Sequence, residues 1–291
     1  MAILYTAKEV NAGIRAQLEP EIEALRERGI CPTLATVRVG EKGADISYEL
    51  GASKRMRGLG LGVRNVVLPA GVTQETLIET LRELSEDEGV HGILLFQPLP
   101  PEMDDEAVKS AIAPVKDVDC ATVDNLGAVL AGWEDQCYPY CAPAAVIEVL
   151  DHYGIELEGA SVAIVGSGLV VGRPLSMMLS NRLATVSVCN VFTKDTRAYT
   201  KQADIVISAA GVAGLIDDTY VKPGQIVLDV GTTFRDGKLL GDVNFEKVEP
   251  IVKAVTPTPG GISGITNMVL AKHVVQAAKR MEESRLCAAG A

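Results

Sequence analysis

The sequence lacks the features of a membrane protein or an exported protein. No apolar run approaches the roughly 20 residues that span a bilayer. Residues 1–9 contain neither the basic region nor the apolar core of a secretory signal. These absences exclude a membrane partner and predict a cytoplasmic location.

Positive charge is also scarce. The 27 lysines and arginines are outnumbered by 38 aspartates and glutamates, which gives a net charge of −11. Nucleic-acid binding needs a basic face, so no nucleic-acid partner is expected. An anionic ligand must instead be held locally, and the candidate cations are Lys54, Arg173 and Lys194.

The six cysteines form no C-x-x-C pair and no cysteine/histidine array of the zinc type. Cys137 and Cys141 are separated by Pro139, which argues against a shared helical face. The sequence predicts reduced, core-filling cysteines and no metal site.

What the sequence does contain is a glycine-rich segment typical of a phosphate site. The apolar run 161–165 leads to Gly166, Gly168 and Gly172, and a helical pattern follows. A strand that delivers glycines to a helix start directs backbone N–H groups at an anion. The spacing is one residue longer than the usual dinucleotide fingerprint, so a tight turn that binds nothing remains the alternative.

Apolar patterning predicts alternating strands and helices in both halves, with 47% hydrophobic residues available for a core. The predicted strands are 33–39, 62–68, 92–96, 161–165, 184–189, 203–208, 225–230 and 254–256. The predicted fold class is α/β, with two α/β domains around a cleft, the second a Rossmann-type doubly wound parallel sheet.

Five segments taken in order resemble the bifunctional methylenetetrahydrofolate dehydrogenase/cyclohydrolase family. They are Ala52-Ser-Lys54-Arg55, Gln97-Pro-Leu-Pro100, Lys116-Asp-Val-Asp119, Val171-Gly-Arg-Pro174 and Pro257-Thr-Pro-Gly-Gly261. Asp229-Val-Gly231 and Gly241-Asp-Val243 also match in order. The resemblance spans nearly the whole chain.

The resemblance implies oxidation of 5,10-methylenetetrahydrofolate to the methenyl form with NADP or NAD, and hydrolysis of that product to 10-formyltetrahydrofolate. It implies tetrahydrofolate derivatives as ligands, and a homodimer formed through the nucleotide-binding domain. The expected domains are 1–145 with helix 267–285 for folate and catalysis, and 146–266 for NAD(P). Residues 286–291 are expected to form a disordered tail.

Lys54 is the implied acid or base of the hydrolysis, with its charge partly desolvated at the cleft; the alternative is a solvated helix lysine. The family places a tyrosine four residues before this lysine, but that position is Leu50, and Tyr48 is six residues before Lys54. On a regular helix Tyr48 would lie about 120° away. We therefore expect a bulge or inserted turn near Gly51 that returns Tyr48 to the pterin; the alternative is a packing tyrosine.

Gln97 is shifted in a similar way. The family's glutamine position is Phe96 here, so Gln97 can approach Lys54 only if the strand has already ended; otherwise it is a surface amide. Asp119 matches the aspartate implied to accept hydrogen bonds from the pterin, with an exposed loop acid as the alternative. The family has glycine after this aspartate, and this chain has Cys120.

The resemblance also implies the cofactor residues and the wall of the folate site. The implied cofactor residues are Gly166, Ser167, Gly168, Arg173, Val191 and Thr232. Val191 and Thr232 could alternatively be ordinary strand-end packing. Some relatives have an arginine at the position of Ser167, and Arg173 and Lys194 are the possible substitutes, so NADP is favoured over NAD only modestly. Gly260, Gly261 and Ile265 are implied to line the folate site.

The sequence leaves two other functions open. A dehydrogenase without hydrolase activity gains weight from the shifted Tyr48 and Gln97. A non-catalytic nucleotide-binding regulatory protein would not need Lys54 and Asp119, so their presence argues against it.

Overall fold

The computed structural model describes residues 1–133, 136–235 and 237–290. The helices are α1 (Ala7–Glu27), α2 (Gly43–Gly58), α3 (Gln74–Glu86), α4 (Asp105–Lys109), α5 (Val123–Ala131), α6 (Cys141–His152), α7 (Gly172–Asn181), α8 (Thr196–Thr200), α9 (Phe245–Val248) and α10 (Thr266–Gly290). The strands are β1 (Ile3–Leu4), β2 (Thr33–Val39), β3 (Gly62–Leu68), β4 (Gly92–Leu95), β5 (Ser161–Val165), β6 (Thr185–Cys189), β7 (Ile205–Ser208), β8 (Ile226–Asp229), β9 (Thr232–Arg235), β10 (Lys238–Gly241) and β11 (Ala254–Val255).

The chain divides into two compact units. Unit 1 comprises residues 1–13 and 140–266, and unit 2 comprises residues 14–139 and 267–291. This division differs from the predicted one at both ends of the first domain. The N-terminal residues belong to unit 1 because β1 pairs in parallel with β11, a contact between distant parts of the chain that no local pattern reveals.

Unit 1 contains a six-stranded parallel sheet in the order β6-β5-β7-β8-β11-β1. Its central strands β7 and β8 are buried along their whole length, as strands covered on both faces should be. A separate antiparallel hairpin, β9 and β10, follows β8. The sequence-based expectations did not include this hairpin, α8 or α9.

Unit 2 is built around a three-stranded parallel sheet in the order β3-β2-β4. Leu77, Leu81 and Leu84 recur at helical spacing on α3 and pack into the same core as Ala35 and Val37 of β2. The parallel sheets confirm the predicted α/β class. Helix α10 continues to Gly290, which differs from the predicted tail over 286–291; residue 291 lies outside the described residues.

Two further features bear on the sequence-based expectations. None of the six cysteines, all of which lie in the described ranges, forms a disulfide, and four of them are buried. Within the described ranges, no helix has the length and apolar character needed to cross a membrane.

Candidate active site

The glycine-rich segment lies where β5 ends and α7 begins. Gly166 has a φ of +120°, and a Cβ there would lie 2.3 Å from the carbonyl oxygen of Ala209. A Cβ on Gly172 would lie 1.9 Å from the carbonyl oxygen of Gly166. Both positions require glycine, because the backbones approach too closely for any side chain. Gly168 has open space where its Cβ would be, which leaves room for a phosphate.

The strand order places this segment at a reversal of the sheet. The chain passes from β5 to β6 on one side and returns to β7 on the other side of β5. Ligands of open parallel sheets bind outside the carboxyl ends of strands at such a point. The amide of Gly166 also donates to the carbonyl oxygen of Cys189 at 2.9 Å, which ties the ends of β5 and β6 together. The residues present therefore fit a dinucleotide.

The other predicted cofactor residues surround the carboxyl ends of these strands. The Nε atom of Arg173 donates to the carbonyl oxygen of Ser167 at 3.0 Å, which places the guanidinium beside the glycine loop. Val191 follows β6 and is 92% exposed, and Thr232 begins β9 with an exposed side chain. Neither side chain is buried in the core, so strand-end packing does not explain them. Lys194 is also exposed.

Helix α2 carries Tyr48 and Lys54 and is continuous from Gly43 to Gly58. Its buried residues recur at the spacing of one face of a regular helix. They are Glu49, Ala52, Ser53 and Met56. The expected bulge or inserted turn near Gly51 is therefore wrong, because such a turn would interrupt this buried face.

The regular helix separates Tyr48 from Lys54 by about 120° of rotation. Lys54 is exposed. The residue one turn after Tyr48 is Ala52, which is 0% exposed. Tyr48 is partly buried and lies beside the core-facing side of α2.

A buried polar network determines how α2 sits on β2. Glu49 accepts a hydrogen bond from Thr36 Oγ1 at 2.6 Å and forms an ion pair with Arg38 Nε at 3.0 Å. The side-chain Nδ2 of Asn65 donates to Thr36 Oγ1 at 2.7 Å and to Ser53 Oγ at 3.3 Å. A buried carboxylate needs such partners, so any rotation of α2 would leave Glu49 unsatisfied.

Phe96 and Gln97 follow the end of β4 at Leu95. The strand has therefore ended before Gln97, which satisfies the condition for a role near Lys54, and the Gln97 side chain is exposed. The ring of Phe96 meets the ring of Tyr48 edge to face, with centroids 6.0 Å apart. Phe96 thus contacts the predicted pterin-binding tyrosine.

Asp119 lies in a turn organised by the fully buried Asp117. Oδ2 of Asp117 accepts hydrogen bonds from the amide and the hydroxyl of Thr122, at 2.9 and 2.7 Å, and from Asn125 Nδ2 at 2.8 Å. Cys120 has a φ of +58°, in the left-handed region that favours glycine. Cys120 therefore adopts a backbone conformation that glycine would adopt without strain, and Asp119 is half-buried.

The second glycine loop, residues 257–264, belongs to unit 1. Gly260 has a φ of +103° and is exposed. A Cβ on Gly261 would lie 2.5 Å from the carbonyl oxygen of Pro257. Ile265 is 0% exposed, so its side chain supports the loop from the core and does not form an open wall.

The two halves of the chain match two parts of one family. Residues 5–119 match the catalytic domain of tetrahydrofolate dehydrogenase/cyclohydrolase, and residues 140–282 match its NAD(P)-binding domain. The chain belongs to this family. The predicted family and fold class are thereby confirmed, and the glycine loop of unit 1 falls in the matched NAD(P)-binding part.

Individual relatives cover nearly the whole chain. The bifunctional protein FolD of Alkaliphilus metalliredigens is 42% identical over 281 residues, which is 96% of this chain and 99% of that protein. The FolD crystal structure from Campylobacter jejuni has a TM-score of 0.92 at 36% identity, covering 96% of this chain and 99% of the other. A Trypanosoma brucei FolD, solved with NADP and an inhibitor, has a TM-score of 0.90 at 34% identity, covering 96% and 98%.

Sequence reasoning missed the buried polar residues that hold the family's site segments in place. Glu49 and Asp117 are both adjacent to or near predicted site residues but were assigned no role. Glu49 is adjacent to Tyr48, and Asp117 lies inside the segment Lys116–Asp119 that carries the resemblance, but neither position shows in the sequence that the carboxylate is buried. Burial decides whether such a residue is structural.

Proposed function

We propose that this family member oxidises 5,10-methylenetetrahydrofolate to the methenyl form with NADP and hydrolyses the methenyl form to 10-formyltetrahydrofolate. The observation that carries the proposal is the glycine loop at β5, where Gly166 and Gly172 are required by backbone contacts, in a chain that also matches the family's catalytic domain. That second match argues against a non-catalytic nucleotide-binding protein.

The oxidation requires binding and orientation more than acid–base chemistry. Bound NADP supplies a hydride acceptor. The bridging carbon of the folate loses a hydride, and the lone pairs of its two nitrogen neighbours stabilise the resulting cation, so no protein group has to move a proton. The backbone from Gly166 to Gly168 holds the pyrophosphate, and Asp119 accepts hydrogen bonds from the pterin.

The hydrolysis requires proton transfer. Water adds to the methenyl carbon and loses one proton, which leaves a hydroxyl on that carbon. The bond from that carbon to N5 then breaks as N5 gains a proton and the hydroxyl releases its own proton to solvent, which leaves the formyl group on N10. A single amine can carry the proton from water to N5. Lys54 is the candidate for that role, and its exposed position on α2 leaves its amine accessible to water.

Two assays on the purified protein test this function. The first follows NAD(P)H formation from methylenetetrahydrofolate, and the second follows the loss of methenyltetrahydrofolate absorbance without nucleotide. Turnover in both is expected. Turnover in neither would overturn the proposal.

A dehydrogenase without hydrolase activity is the second candidate, and the geometry of α2 favours it. The continuous helix keeps Lys54 about 120° from Tyr48, and Phe96 fills the space beside that tyrosine. Replacement of Lys54 by Met removes the amine and keeps the length. If hydrolysis is a property of this chain and uses Lys54, the variant loses it and keeps oxidation; Lys8→Met, another exposed helix lysine, is the control.

NADP is the proposed cofactor because Arg173 stands beside the loop at Ser167. A guanidinium there can pair with the 2′-phosphate that distinguishes NADP from NAD. Arg173→Gln should weaken NADP binding by about tenfold and change NAD binding by less than twofold, as measured by titration calorimetry. Equal effects on both nucleotides would favour NAD as the natural cofactor.

A homodimer formed through β6 is also proposed. Among the described strands β6 pairs only with β5, and Val188 on it and Phe192 after it are exposed by 39% and 89%. Exposed edges of this kind are normally covered. Sedimentation should show a dimer for the wild type and a shift toward monomer for Phe192→Asp. A monomeric wild type would refute the proposed dimer. A role in supplying purine biosynthesis is proposed from the resemblance, and the cytoplasmic location stays a prediction from the sequence.

A further inference from the structure

Two buried aspartates in unit 1 have no part in the proposed chemistry. Asp229 ends β8 and is 3% exposed, and Asp242 follows β10 and is 0% exposed. Within residues 1–133, 136–235 and 237–290, no lysine or arginine forms an ion pair with either. Two buried carboxylates without a cation are expensive to maintain, so their hydrogen bonds must serve a particular arrangement.

Asp242 gathers the loop that leaves the carboxyl end of β7. Its Oδ2 atom accepts hydrogen bonds from Ser208 Oγ at 2.9 Å and from the amides of Ala210 and Gly211 at 2.7 and 3.1 Å. Its Oδ1 atom accepts one from the amide of Val212 at 2.8 Å. Three successive amides that converge on one anion form a backbone nest, and here a side chain of the protein fills it.

The loop held by Asp242 is the surface against which the cofactor glycine loop packs. The Cβ that Gly166 lacks would lie 2.3 Å from the Ala209 oxygen and 2.9 Å from the Ala210 nitrogen. Gly172 in turn packs on the Gly166 oxygen. A displacement of residues 208–212 would therefore move the backbone that is to hold the pyrophosphate.

Asp229 links Asp242 to the second glycine loop. Its Oδ1 atom accepts a hydrogen bond from the amide of Asp242 at 3.0 Å, and its Oδ2 atom accepts from the amide of Val243 at 3.1 Å and from Thr258 Oγ1 at 3.2 Å. Thr258 lies two residues before Gly260, in the loop expected to line the folate site.

Glycines make room for both carboxylates. A Cβ on Gly231 would lie 2.1 Å from the Asp242 carboxylate, and one on Gly241 would lie 1.9 Å from Asp229 Oδ2. Both segments were matched to the family at the sequence level, but without a role for either aspartate.

We propose that Asp229 and Asp242 are positioning residues: Asp242 holds the cofactor glycine loop through residues 208–212, and Asp229 joins it to the folate-side loop through Thr258. The proposal rests on the proposed function, since it assumes that the two loops bind NADP and folate. Two hydrogen bonds, from Ser208 to Asp242 and from Thr258 to Asp229, connect the aspartates to the two loops, and single substitutions can remove them independently.

The experiment measures NADP dissociation constants by titration calorimetry and KM for methylenetetrahydrofolate, with the folded fraction checked by circular dichroism. Asp242→Asn places an NH₂ group against N–H donors, so we expect at least a tenfold weaker NADP affinity. Asp217→Asn is the matched control, because Asp217 also accepts hydrogen bonds from a loop residue, Thr219, in the same unit. It should leave NADP affinity within twofold.

Removing each of these two hydrogen bonds separately distinguishes a positioning role from a loss of stability. Ser208→Ala should weaken NADP binding several-fold and leave the folate KM unchanged, and Thr258→Val should raise the folate KM and leave NADP affinity unchanged. These two variants decide the matter if Asp242→Asn fails to fold. Unchanged NADP affinity in Ser208→Ala, or equal effects of both variants on both ligands, overturns the positioning role.

Failure of the proposed function is distinguishable from failure of this inference. A wild-type protein that binds no NADP overturns the proposed function, and the inference falls with it. A wild type that binds NADP and turns over folate, with variants that differ only in melting temperature, overturns the inference alone.

Discussion

The two units hold their candidate site residues in different ways. In unit 1 the candidate cofactor site is made mostly of backbone, because Gly166 and Gly172 allow main chains to approach closely. In unit 2 the candidate groups are side chains on a helix and in turns, namely Tyr48, Lys54 and Asp119. A backbone site survives most sequence changes outside its glycines, whereas a shift of two residues on a helix rotates a side chain away from its partner.

The largest expected effect tests the backbone half of this comparison. Gly172→Ala places a Cβ 1.9 Å from the Gly166 oxygen, so α7 must move or the loop must open. We expect a loss of stability of about 3 kcal/mol and loss of detectable NADP binding, measured by urea unfolding and calorimetry.

Gly168→Ala is the control for that variant. Nothing lies within 4 Å of the Cβ position at Gly168, so stability should change by less than about 0.5 kcal/mol. Equal losses of stability in the two variants would show that close backbone approach is not what glycine provides in this loop.

The next effect tests the side-chain half. Glu49→Gln leaves Arg38 without its buried ionic partner and should destabilise unit 2 by about 3 kcal/mol. Because Glu49 seats α2, the variant should also raise the KM for methylenetetrahydrofolate, while NADP affinity stays within twofold. A large change in NADP affinity would break the comparison, since it would show that the two sites do not respond separately.

The units should also respond to pH in opposite directions. Burial raises the pKa of Asp229 in unit 1 to about 6, although the amides of Val243 and Asp242 lower it. Burial lowers the pKa of His273 in unit 2 to about 4, partly offset by its hydrogen bond to the Val118 oxygen. Asp229 adds to the free energy of unfolding below about pH 4, and this contribution is lost as the pH rises through about 6. His273 adds to the free energy of unfolding above about pH 6.5, and this contribution is lost as the pH falls through about 4.

Each of these two contributions is at most about 3 kcal/mol. Hydrogen exchange measured peptide by peptide between pH 4 and 7 should show unit 1 losing protection as pH rises and unit 2 gaining it. Asp229→Asn should reduce the pH dependence of protection in unit 1, and His273→Gln should reduce it in unit 2. Parallel slopes in both units would contradict the assignment.

The smallest expected effect concerns two residues with left-handed backbone. Leu183 in unit 1 has a φ of +64° and is 64% exposed, whereas Cys120 in unit 2 has a φ of +58° and is 1% exposed. Leu183→Gly should stabilise the protein by roughly 0.5–1 kcal/mol, because it relieves strain and gives up little burial. Cys120→Gly should gain less, because it also removes a buried side chain. Thermal unfolding of both variants measures the difference.

Local pattern predicted most of the elements but not the features that depend on distant contacts. The strands 33–39 and 62–68 match β2 and β3 at both ends, because each is an apolar run bounded by glycine or proline. The hairpin β9–β10 was missed because none of its strand residues is buried and the two strands lack an apolar run. The close backbone turn at Gly166 and Gly172 could be predicted from the sequence, since glycines mark such a turn directly, whereas the orientation of Tyr48 and Lys54 depends on how α2 packs.

The sequence by itself determined the family, the α/β class and the position of the glycine-rich turn after β5, because each depends on short segments whose order and spacing can be seen along the chain. Only the tertiary structure decided that β1 joins the sheet of unit 1, that α2 turns Lys54 toward solvent, and that Asp229 and Asp242 meet behind the two glycine loops. These three outcomes depend on which residues far apart in the chain bury one another, and burial is a property of the folded molecule.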